Sequence, residues 1–373
     1  MELTLSYILG LGTALFLFFA YRFLDRKTTP MTKRSARRRG AVIARAVEYR
    51  LSMGPFVVAL GGGTGLSTLL RALKSYTRNI VAVVAVTDEG GSSGKLKQEW
   101  GVLPPGDVRN CIVALAENDN ALKRLLDFRF DRGELAGHSL GNLMLLAVSE
   151  QFGDFRLAVE EMNYLLAIRG RVLPVTTEAV TLTAETREGE RLRGELAIAE
   201  RGPDIARIWL EPRDPKPLKD VLRSIDEGDL IALGPGSLFT SVLPNLLIRE
   251  VSERIRRSTA PKVYICNLMT QPGETGGFSV EDHVRWVAAA LRSAPEYVVV
   301  NDGDIPNHLL DKYRTEGAEP LYLKKSDRRV LEEMGCTVLQ GNLVQILDNS
   351  LLRHNGQVLS EILVRLCREL KEE

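Results

Sequence analysis

Short apolar runs alternate with longer segments of helical periodicity from Phe56 onwards. The short runs are nearly continuous and rich in β-branched residues, which is typical of parallel strands buried on both faces. They predict strands at Phe56–Leu60, Ile80–Val86, Leu230–Leu233, Val263–Cys266 and Tyr297–Val300. The periodic segments predict helices at Leu66–Lys74, Asp107–Glu117, Ala121–Phe128, Ser139–Phe152, Phe155–Ala167, Leu243–Arg257, Val280–Ser293, Ile305–Glu316, Arg328–Met334 and Gln357–Leu370. This alternation predicts an α/β fold with a doubly wound, mostly parallel sheet.

One segment of the chain departs from this rhythm. Val172–Leu210 alternates apolar and polar residues on both sides of the turn at Glu188-Gly189-Glu190. Strict alternation is typical of strands with one face exposed. The segment therefore predicts a small antiparallel insertion at about 172–210.

The N-terminus follows a third pattern. Leu3–Ala20 is almost wholly apolar and uncharged, and the basic residues come after it. About 20 apolar residues span a bilayer, and the positive-inside rule places the basic flank in the cytoplasm. We therefore predict a transmembrane anchor over 1–24, inserted in the membrane through residues 3–21. A basic cytoplasmic linker over 25–54 and a globular domain over 55–373 follow; the alternative is that the apolar stretch is a buried first helix of that domain.

Charge and cysteine content narrow the function classes. The chain has 373 residues and a net charge of +1, but residues 22–50 carry +8 and residues 51–373 about −6. A mildly acidic body lacks the basic face of a nucleic-acid-binding protein, so we predict no nucleic-acid partner. The four cysteines are scattered without a CxxC pair, which disfavours a zinc site or a disulfide framework and fits a cytoplasmic domain.

Four glycine-marked polar blocks, at 56–70, 81–97, 103–115 and 137–148, carry the candidate chemistry. In the first block, a strand ends and a helix begins at a turn made of Gly61, Gly62, Gly63, Thr64 and Gly65. The amides and dipole of a helix N-terminus suit a phosphate group. The turn matches neither a dinucleotide fingerprint nor a P-loop, because Leu66 replaces a glycine and no lysine follows. A tight turn without a ligand is the alternative.

The second block follows the second predicted strand. Asp88 and Glu89 suit a ribose, a hydrated Mg²⁺ or a protonated substrate group, and Asp88 is our candidate metal ligand. Phosphate contacts are predicted for the residues just beyond it, namely Gly91, Ser92, Ser93 and Lys95. A solvated polar loop is the alternative.

The third and fourth blocks each open a helix. The third offers Asp107, Arg109 and Asn110, of which Arg109 is predicted to face a phosphate and Asp107 can also serve as a first-turn acid. The fourth offers His138 and Asn142 as ligand contacts, with Ser139 as a candidate N-cap. His138 has no visible partner in the sequence for a role as catalytic base.

Two later strand ends extend the pattern. Gly234, Gly236 and Ser237 form another turn suited to an anion, while Asn267 and Thr270 suit a base or a sugar. In a parallel sheet these loops lie along one edge, where ligands of open α/β sheets bind.

Together these blocks resemble the YvcK/CofD-like family, and most closely its bacterial YvcK branch, the gluconeogenesis factors. The resemblance is carried by GGGTGL (61–66), TDEGGSSGKL (87–96), PPGDVRN (104–110), GHSLGNL (137–143), LGPGSLFTSVLPNLL (233–247) and CNLMTQPGET (266–275). It implies a Rossmann-like domain that binds a nucleotide sugar of the UDP-N-acetylglucosamine type. It also implies a role in cell shape and wall synthesis on gluconeogenic carbon sources.

The resemblance also implies further contacts and partners. Tyr313 and Arg353 are expected to touch the nucleotide sugar, and cell-wall synthesis proteins are the expected partners; whether the chain forms a homodimer is left open. The other branch transfers a phospholactyl group and uses Mg²⁺. Two departures concern Glu89, which replaces an expected aspartate, and Gly356, which replaces a phosphorylatable threonine of some relatives.

Three functions remain open at this point. A regulatory sensor that binds a UDP-sugar without chemistry is favoured, since no nucleophile, base or metal cluster is recognisable. A Mg²⁺-dependent transferase acting on a nucleotide-activated donor is the main alternative. The third is a membrane-tethered scaffold whose pocket has lost its ligand.

Overall fold

The computed structural model describes residues 45–117 and 121–372 and divides into two compact units, 1–53 and 54–373. In the first unit, helix α1 covers 45–52. The predicted anchor lies outside the described residues, and it stays a prediction. In the described part of the chain, no helix is long and apolar enough to cross a membrane.

The second unit is built on a seven-stranded parallel sheet, as predicted. Its strands are β1 (Val57–Gly61), β2 (Ile80–Val84), β3 (Arg171–Pro174), β7 (Leu230–Leu233), β8 (Lys262–Ile265), β9 (Tyr297–Asn301) and β10 (Thr337–Gly341). They run in the order β10-β9-β8-β7-β1-β2-β3. This is the Rossmann order extended by one strand, and the order reverses between β1 and β7.

Helices cover both faces of this sheet. They are α2 (Gly63–Leu73), α3 (Gly91–Trp100), α4 (Gly106–Leu115), α5 (Ala121–Asp127), α6 (Leu140–Phe152), α7 (Phe155–Leu165), α9 (Lys219–Glu227), α10 (Leu243–Leu246), α11 (Arg249–Arg257), α12 (Val280–Leu291), α13 (Asn307–Thr315), α14 (Lys325–Glu333) and α15 (Gly356–Glu372). Every residue of β1, β2, β7 and β8 is buried, which explains their continuous apolar runs.

The predicted insertion is present but begins later than expected. Its antiparallel sheet contains β4 (Thr181–Thr186), β5 (Arg191–Arg193) and β6 (Ile205–Glu211), in the order β5-β4-β6, with helix α8 (Glu195–Glu200) and a 3₁₀ turn at Gly202–Asp204. Arg171–Pro174 pairs in parallel with β2, so the first residues assigned to the insertion form an edge strand of the main sheet instead.

Several other elements differ from the sequence prediction. The single helix predicted at Leu243–Arg257 is divided into α10 and α11, because Ile248 between them is extended (φ −75°, ψ 110°) and fully buried. A π-helical turn at Leu238–Val242 precedes α10. Helices α3 and α9, strand β10 and an antiparallel hairpin of β11 (Val344–Leu347) and β12 (Leu351–His354) were not predicted.

The beginning of α15 explains one departure from the family pattern. A Cβ on Gly356 would lie 2.6 Å from the carbonyl oxygen of Thr68 and 3.1 Å from Cβ of Ala72, both on α2. Carbon atoms do not approach a carbonyl oxygen this closely, so the contact between α15 and α2 requires glycine here. A threonine does not fit this position.

Candidate functional site

A cavity of about 420 Å³ opens at the carboxyl ends of β1, β2, β7 and β8. It therefore lies at the point where the strand order reverses, and its volume is typical of small-molecule sites (about 300–1,000 Å³). Twelve of the sequence-predicted residues line it: Gly62, Gly63, Thr64, Gly65, Asp88, Asp107, Gly236, Ser237, Asn267, Thr270, Tyr313 and Arg353.

The glycine turn after β1 forms one wall and opens α2. Gly63 has φ +62°, a conformation that favours glycine. A Cβ on Gly65 would lie 2.6 Å from the carbonyl oxygen of Pro235, so this turn packs directly on the loop after β7. Gly62 is an extended N-cap without a side chain to cap the helix, and Asp107 accepts a hydrogen bond from the amide of the next residue, Gly63. The turn thus presents a helix N-terminus to the cavity, the arrangement that suits a phosphate.

The loop after β7 has the same sequence character but a different structure. The amide of Phe239 donates to Glu274 Oε1 at 2.8 Å, and the amide of Thr240 and the hydroxyl of Ser237 also donate to this carboxylate. Burial raises the pKa of Glu274 to about 7, against the lowering effect of these three donors. The helix N-terminus predicted to hold an external anion at Gly234 and Gly236 is therefore occupied by a carboxylate of the chain itself.

Three carboxylates face the cavity near the glycine turn. Burial, and then repulsion from Asp88, raises the pKa of Asp107 to about 7 although it accepts a hydrogen bond from the Gly63 amide. The same two causes raise the pKa of Glu195 to about 8. Oxygen donors of this kind suit Mg²⁺ or sugar hydroxyls. Within 45–117 and 121–372, no group of three or more His, Cys, Asp or Glu residues has the geometry to hold a metal ion.

Glu89 has a structural role that explains the departure at this position. Its Oε2 accepts a hydrogen bond from the Glu195 amide at 3.1 Å, while the Glu89 amide donates to Glu195 Oε2 at 2.9 Å. Glu89 also pairs with Lys97 at 3.2 Å. The longer side chain therefore joins the loop after β2 to the insertion, and this is how Glu195 reaches the cavity.

The loop after β8 supplies neutral polar groups. Asn267 Nδ2 donates to Gln271 Oε1 at 3.2 Å, and Gln271 Nε2 donates to Ser237 Oγ at 2.7 Å. Asn267 Oδ1 is buried without any hydrogen-bond partner among the described residues. Buried acceptors are almost always paired, so this oxygen is available to a donor of a ligand.

Strand β12 and helix α13 form another wall. Tyr313 Oη accepts from the Leu352 amide at 3.0 Å, which holds β12 against α13, and Arg353 brings a guanidinium to the cavity. His354 Nε2 lies 3.0 Å from the carbonyl oxygen of Cys266, and burial lowers the pKa of His354 to about 4. His354 is therefore neutral at pH 7 and donates this hydrogen bond.

Ten predicted site residues do not line the cavity: Gly61, Gly91, Ser92, Ser93, Lys95, Arg109, Asn110, His138, Asn142 and Gly234. Gly61 is the last residue of β1 and Gly91 the first of α3, while Ser93 Oγ accepts from the Gly106 amide at 3.1 Å. The side chain of Lys95 is exposed on α3, and its phosphate contact stays a prediction.

Arg109 does not line the cavity either. Its guanidinium donates to Asp127 Oδ1 at 2.9 Å and to Asn110 Oδ1 at 2.6 Å. Burial lowers the pKa of Arg109, and Asp127 opposes that effect. The guanidinium thus makes contacts within its own region, while its buried Nε has no hydrogen-bond partner among the described residues; the phosphate contact stays a prediction.

His138 has a partner that sequence inspection did not reveal. Its Nδ1 lies 3.0 Å from Ser92 Oγ, and Asn142 Nδ2 donates to the same oxygen at 3.0 Å. Ser139 caps α6 by accepting from the Asn142 amide. These side chains form a buried cluster that does not line the cavity.

The chain is similar in sequence to known proteins. The family profile described as 2-phospho-L-lactate transferase CofD matches residues 57–344. The gluconeogenesis factor of Bacillus subtilis (strain 168) is 42% identical over 317 residues, which cover 84% of this chain and 99% of that protein. The chain belongs to the YvcK/CofD-like family.

Other members of the YvcK/CofD-like family agree. The gluconeogenesis factor of Halalkalibacterium halodurans is 43% identical over 83% of this chain and 95% of its own length. The crystal structure of a UPF0052-family protein from Bacillus halodurans superposes with a TM-score of 0.77 and 42% identity, covering 82% of this chain and 98% of that one. These matches confirm both the family and the fold predicted from the sequence.

Proposed function

We propose that this member of the gluconeogenesis-factor family is a regulatory protein that binds a nucleotide sugar of the UDP-N-acetylglucosamine type. The observation that carries the proposal is the cavity where the strand order reverses, which is lined by the N-terminus of α2 and by Arg353. The amides after Gly62 and the charge of Arg353 suit a diphosphate. The unpartnered Asn267 Oδ1 suits an N–H donor of a base or an acetamido sugar.

The same cavity supports binding more strongly than chemistry. The buried cluster of Ser92, His138 and Asn142 contains the residue types of a nucleophile and a base, but it does not line the cavity. The cavity itself offers carboxylates, amides and hydroxyls. We infer that ligand binding changes the activity of partner proteins, for which cell-wall synthesis proteins are the proposed class, and that residues 3–21 hold the protein at the membrane.

A Mg²⁺-dependent transferase is the second candidate, because the matching family profile is that of a phospholactate transferase. Mg²⁺ is commonly held by one or two carboxylates together with substrate phosphates. Asp88 and Asp107 fit this requirement in residue type, and their mutual repulsion, which contributes to the raised pKa of Asp107, is of the kind a cation relieves. A bound Mg²⁺ would supply charge neutralisation at the phosphates.

Calorimetric titration of the full chain with UDP-N-acetylglucosamine, with and without Mg²⁺, tests the proposal. Saturable binding with no product formed over a panel of acceptors is the expected result, with NAD as the comparator that fails to bind. Turnover of a nucleotide-linked donor that needs Mg²⁺ and is lost in Asp88→Ala would replace the sensor by the transferase. Failure of the UDP-sugar to bind under either condition would overturn the proposed ligand.

A further inference from the structure

The outer strand of the insertion sheet has an open edge. β6 contains seven residues and, within the described part of the chain, pairs only with β4. Among the described residues, the backbone of 206–211 hydrogen-bonds to no other element. An antiparallel strand directs alternate N–H and C=O groups to each side, so half of these groups in β6 point away from β4. An open edge of this length is a template for a further strand.

A groove of about 340 Å³ runs along this edge, between β6 and helix α12. Its apolar lining comes from Ile208, Trp209, Leu247, Trp286, Ala289 and Ala290. The two alanines on α12 are small and partly or fully exposed, which leaves room beside β6 for the side chains of an added strand. Trp209 and Trp286 are both half-buried, so each presents part of its ring to the groove.

The face of the insertion sheet that carries Trp209 is basic. The strand register places Arg191, Arg193 and Arg207 on this face, and Arg213 follows just after β6. The guanidinium carbon of Arg213 lies 4.5 Å from the centroid of the Trp209 ring. Glu185 and Glu211 are the acids there, and Glu211 pairs with Arg191. Arg193, Arg207 and Arg213 form no ion pair within 4.0 Å with any residue in the described ranges.

We propose that β6 and this groove dock an extended acidic segment of a partner protein, which adds to the insertion sheet as a further strand. Open backbone groups give the segment its hydrogen bonds, and the arginines pair with the carboxylates on the face that carries Trp209. The alternate, apolar side chains of the segment extend the opposite face, which carries Ile208. Tryptophan and arginine are also the residues that dominate protein interfaces.

The positive charge of this face argues against other occupants of the groove. A second copy of the chain pairing through β6 would bring one basic face against another. The chain's own N-terminal segment carries +8 over residues 22–50, so it is repelled as well. Nucleic acids and anionic lipids match the charge of the arginines, but they do not form strand hydrogen bonds with the open backbone edge. The acidic extended segment alone matches both features.

The test uses the full chain and the acidic peptide acetyl-Glu-Val-Glu-Val-Glu-Val-Glu-amide, followed through tryptophan fluorescence and fluorescence anisotropy. Two control peptides replace glutamate by lysine, or the central valine by proline, which removes a strand hydrogen bond. The variant R207E/R213E reverses the proposed site. The variant R329E/R365E reverses two exposed arginines elsewhere and serves as the matched control.

The proposal expects saturable binding of the acidic peptide, weakened about tenfold or more by R207E/R213E and unchanged by R329E/R365E. The proline peptide should bind more weakly than its parent, and the lysine peptide should bind better to R207E/R213E than to the original chain. Equal binding of the proline peptide, or no binding of the acidic peptide up to about 1 mM, would overturn the proposal. The proposal would also be overturned if the peptide does not bind and Arg207 and Arg213 instead support another complex. Such a complex could be a dimer of the chain, a complex with a dT oligonucleotide or a complex with phosphatidylserine vesicles.

Discussion

The turns that follow β1 and β7 are alike in sequence, but the backbone amides of the two turns face different groups. Both are glycine-marked, both end a buried strand and both lie where the strand order reverses. After β1, the N-cap of α2 has no side chain, and Asp107, which accepts from the Gly63 amide, itself lines the cavity; we call this the open turn. After β7, Glu274 accepts hydrogen bonds from the amides of Phe239 and Thr240, and we call this the closed turn. A glycine-rich turn therefore marks an anion site, and residues elsewhere decide whether that anion comes from a ligand or from the chain.

Substitution of Gly65 tests the open turn and should have the largest effect. Gly65→Val places a Cβ 2.6 Å from the Pro235 carbonyl oxygen, so it should abolish binding of UDP-N-acetylglucosamine and lower stability by about 1–3 kcal/mol. Calorimetry and thermal unfolding measure the two effects. Gly276→Ala is the control, since the nearest atom to its new Cβ lies 3.9 Å away. Unchanged binding in Gly65→Val would remove the glycine turn from the site.

Glu274→Gln tests the closed turn. Because the pKa of Glu274 is raised from 4.5 to about 7, the folded state binds more protons than the unfolded state between these values. The stability contribution of this group therefore falls as pH rises from 4.5 through 7. The glutamine variant keeps an acceptor for Phe239 and does not ionise, so it should gain up to about 3 kcal/mol over the original chain at pH 8 and little at pH 4.5. Chemical denaturation at both pH values measures this, and a loss of stability at pH 8 would contradict it.

Arg353→Ala tests the guanidinium that lines the cavity. A guanidinium bound to a phosphate contributes about 1.5–3 kcal/mol, so the affinity for UDP-N-acetylglucosamine should fall about 10- to 100-fold. The affinity for free N-acetylglucosamine, which lacks a phosphate, should not change. Arg365→Ala, an exposed arginine on α15, is the control. Equal loss for the sugar with and without diphosphate would place Arg353 away from the phosphates.

Asp107→Asn tests the carboxyl group beside the open turn, and its expected effect is the smallest. The pKa of Asp107 is about 7, so this carboxyl group becomes charged between pH 6 and pH 8, beside the open turn. In the absence of Mg²⁺, binding of the UDP-sugar to the original chain should therefore weaken severalfold over this range. Asp107→Asn should bind equally well at both pH values. Titration calorimetry at pH 6 and pH 8 distinguishes the two, and a stronger complex at pH 8 for the original chain would contradict the assignment.

Much of the fold follows from local pattern, because buried parallel strands such as Leu230–Leu233 are short apolar runs in any context. Two of the elements that were not predicted have weak patterns. Helix α3, GSSGKLKQEW, buries mainly small residues, and β11 exposes three of its four residues. Their structure depends on neighbours that are distant in sequence.

The site shows the same division. The glycine turn and Asn267 were predicted from their positions at strand ends, and both line the cavity. Glu195 carries no such signal, since it begins an ordinary helix in the insertion and reaches the cavity only through its hydrogen bonds with Glu89. The sequence predicts that Arg109 faces a phosphate. Its contact with Asp127 is not visible in the local pattern, because Asp127 lies eighteen residues away in sequence. Long-range partners decide such roles, and local sequence does not reveal them.

A crystal structure of the chain with UDP-N-acetylglucosamine tests the central claim most directly. We expect the diphosphate at the N-terminus of α2, between the Gly63 turn and Arg353, with Glu274 still bonded to the amides of Phe239 and Thr240. A diphosphate bound to those amides in place of Glu274, or a ligand outside the cavity, would contradict the distinction between the open and the closed turn.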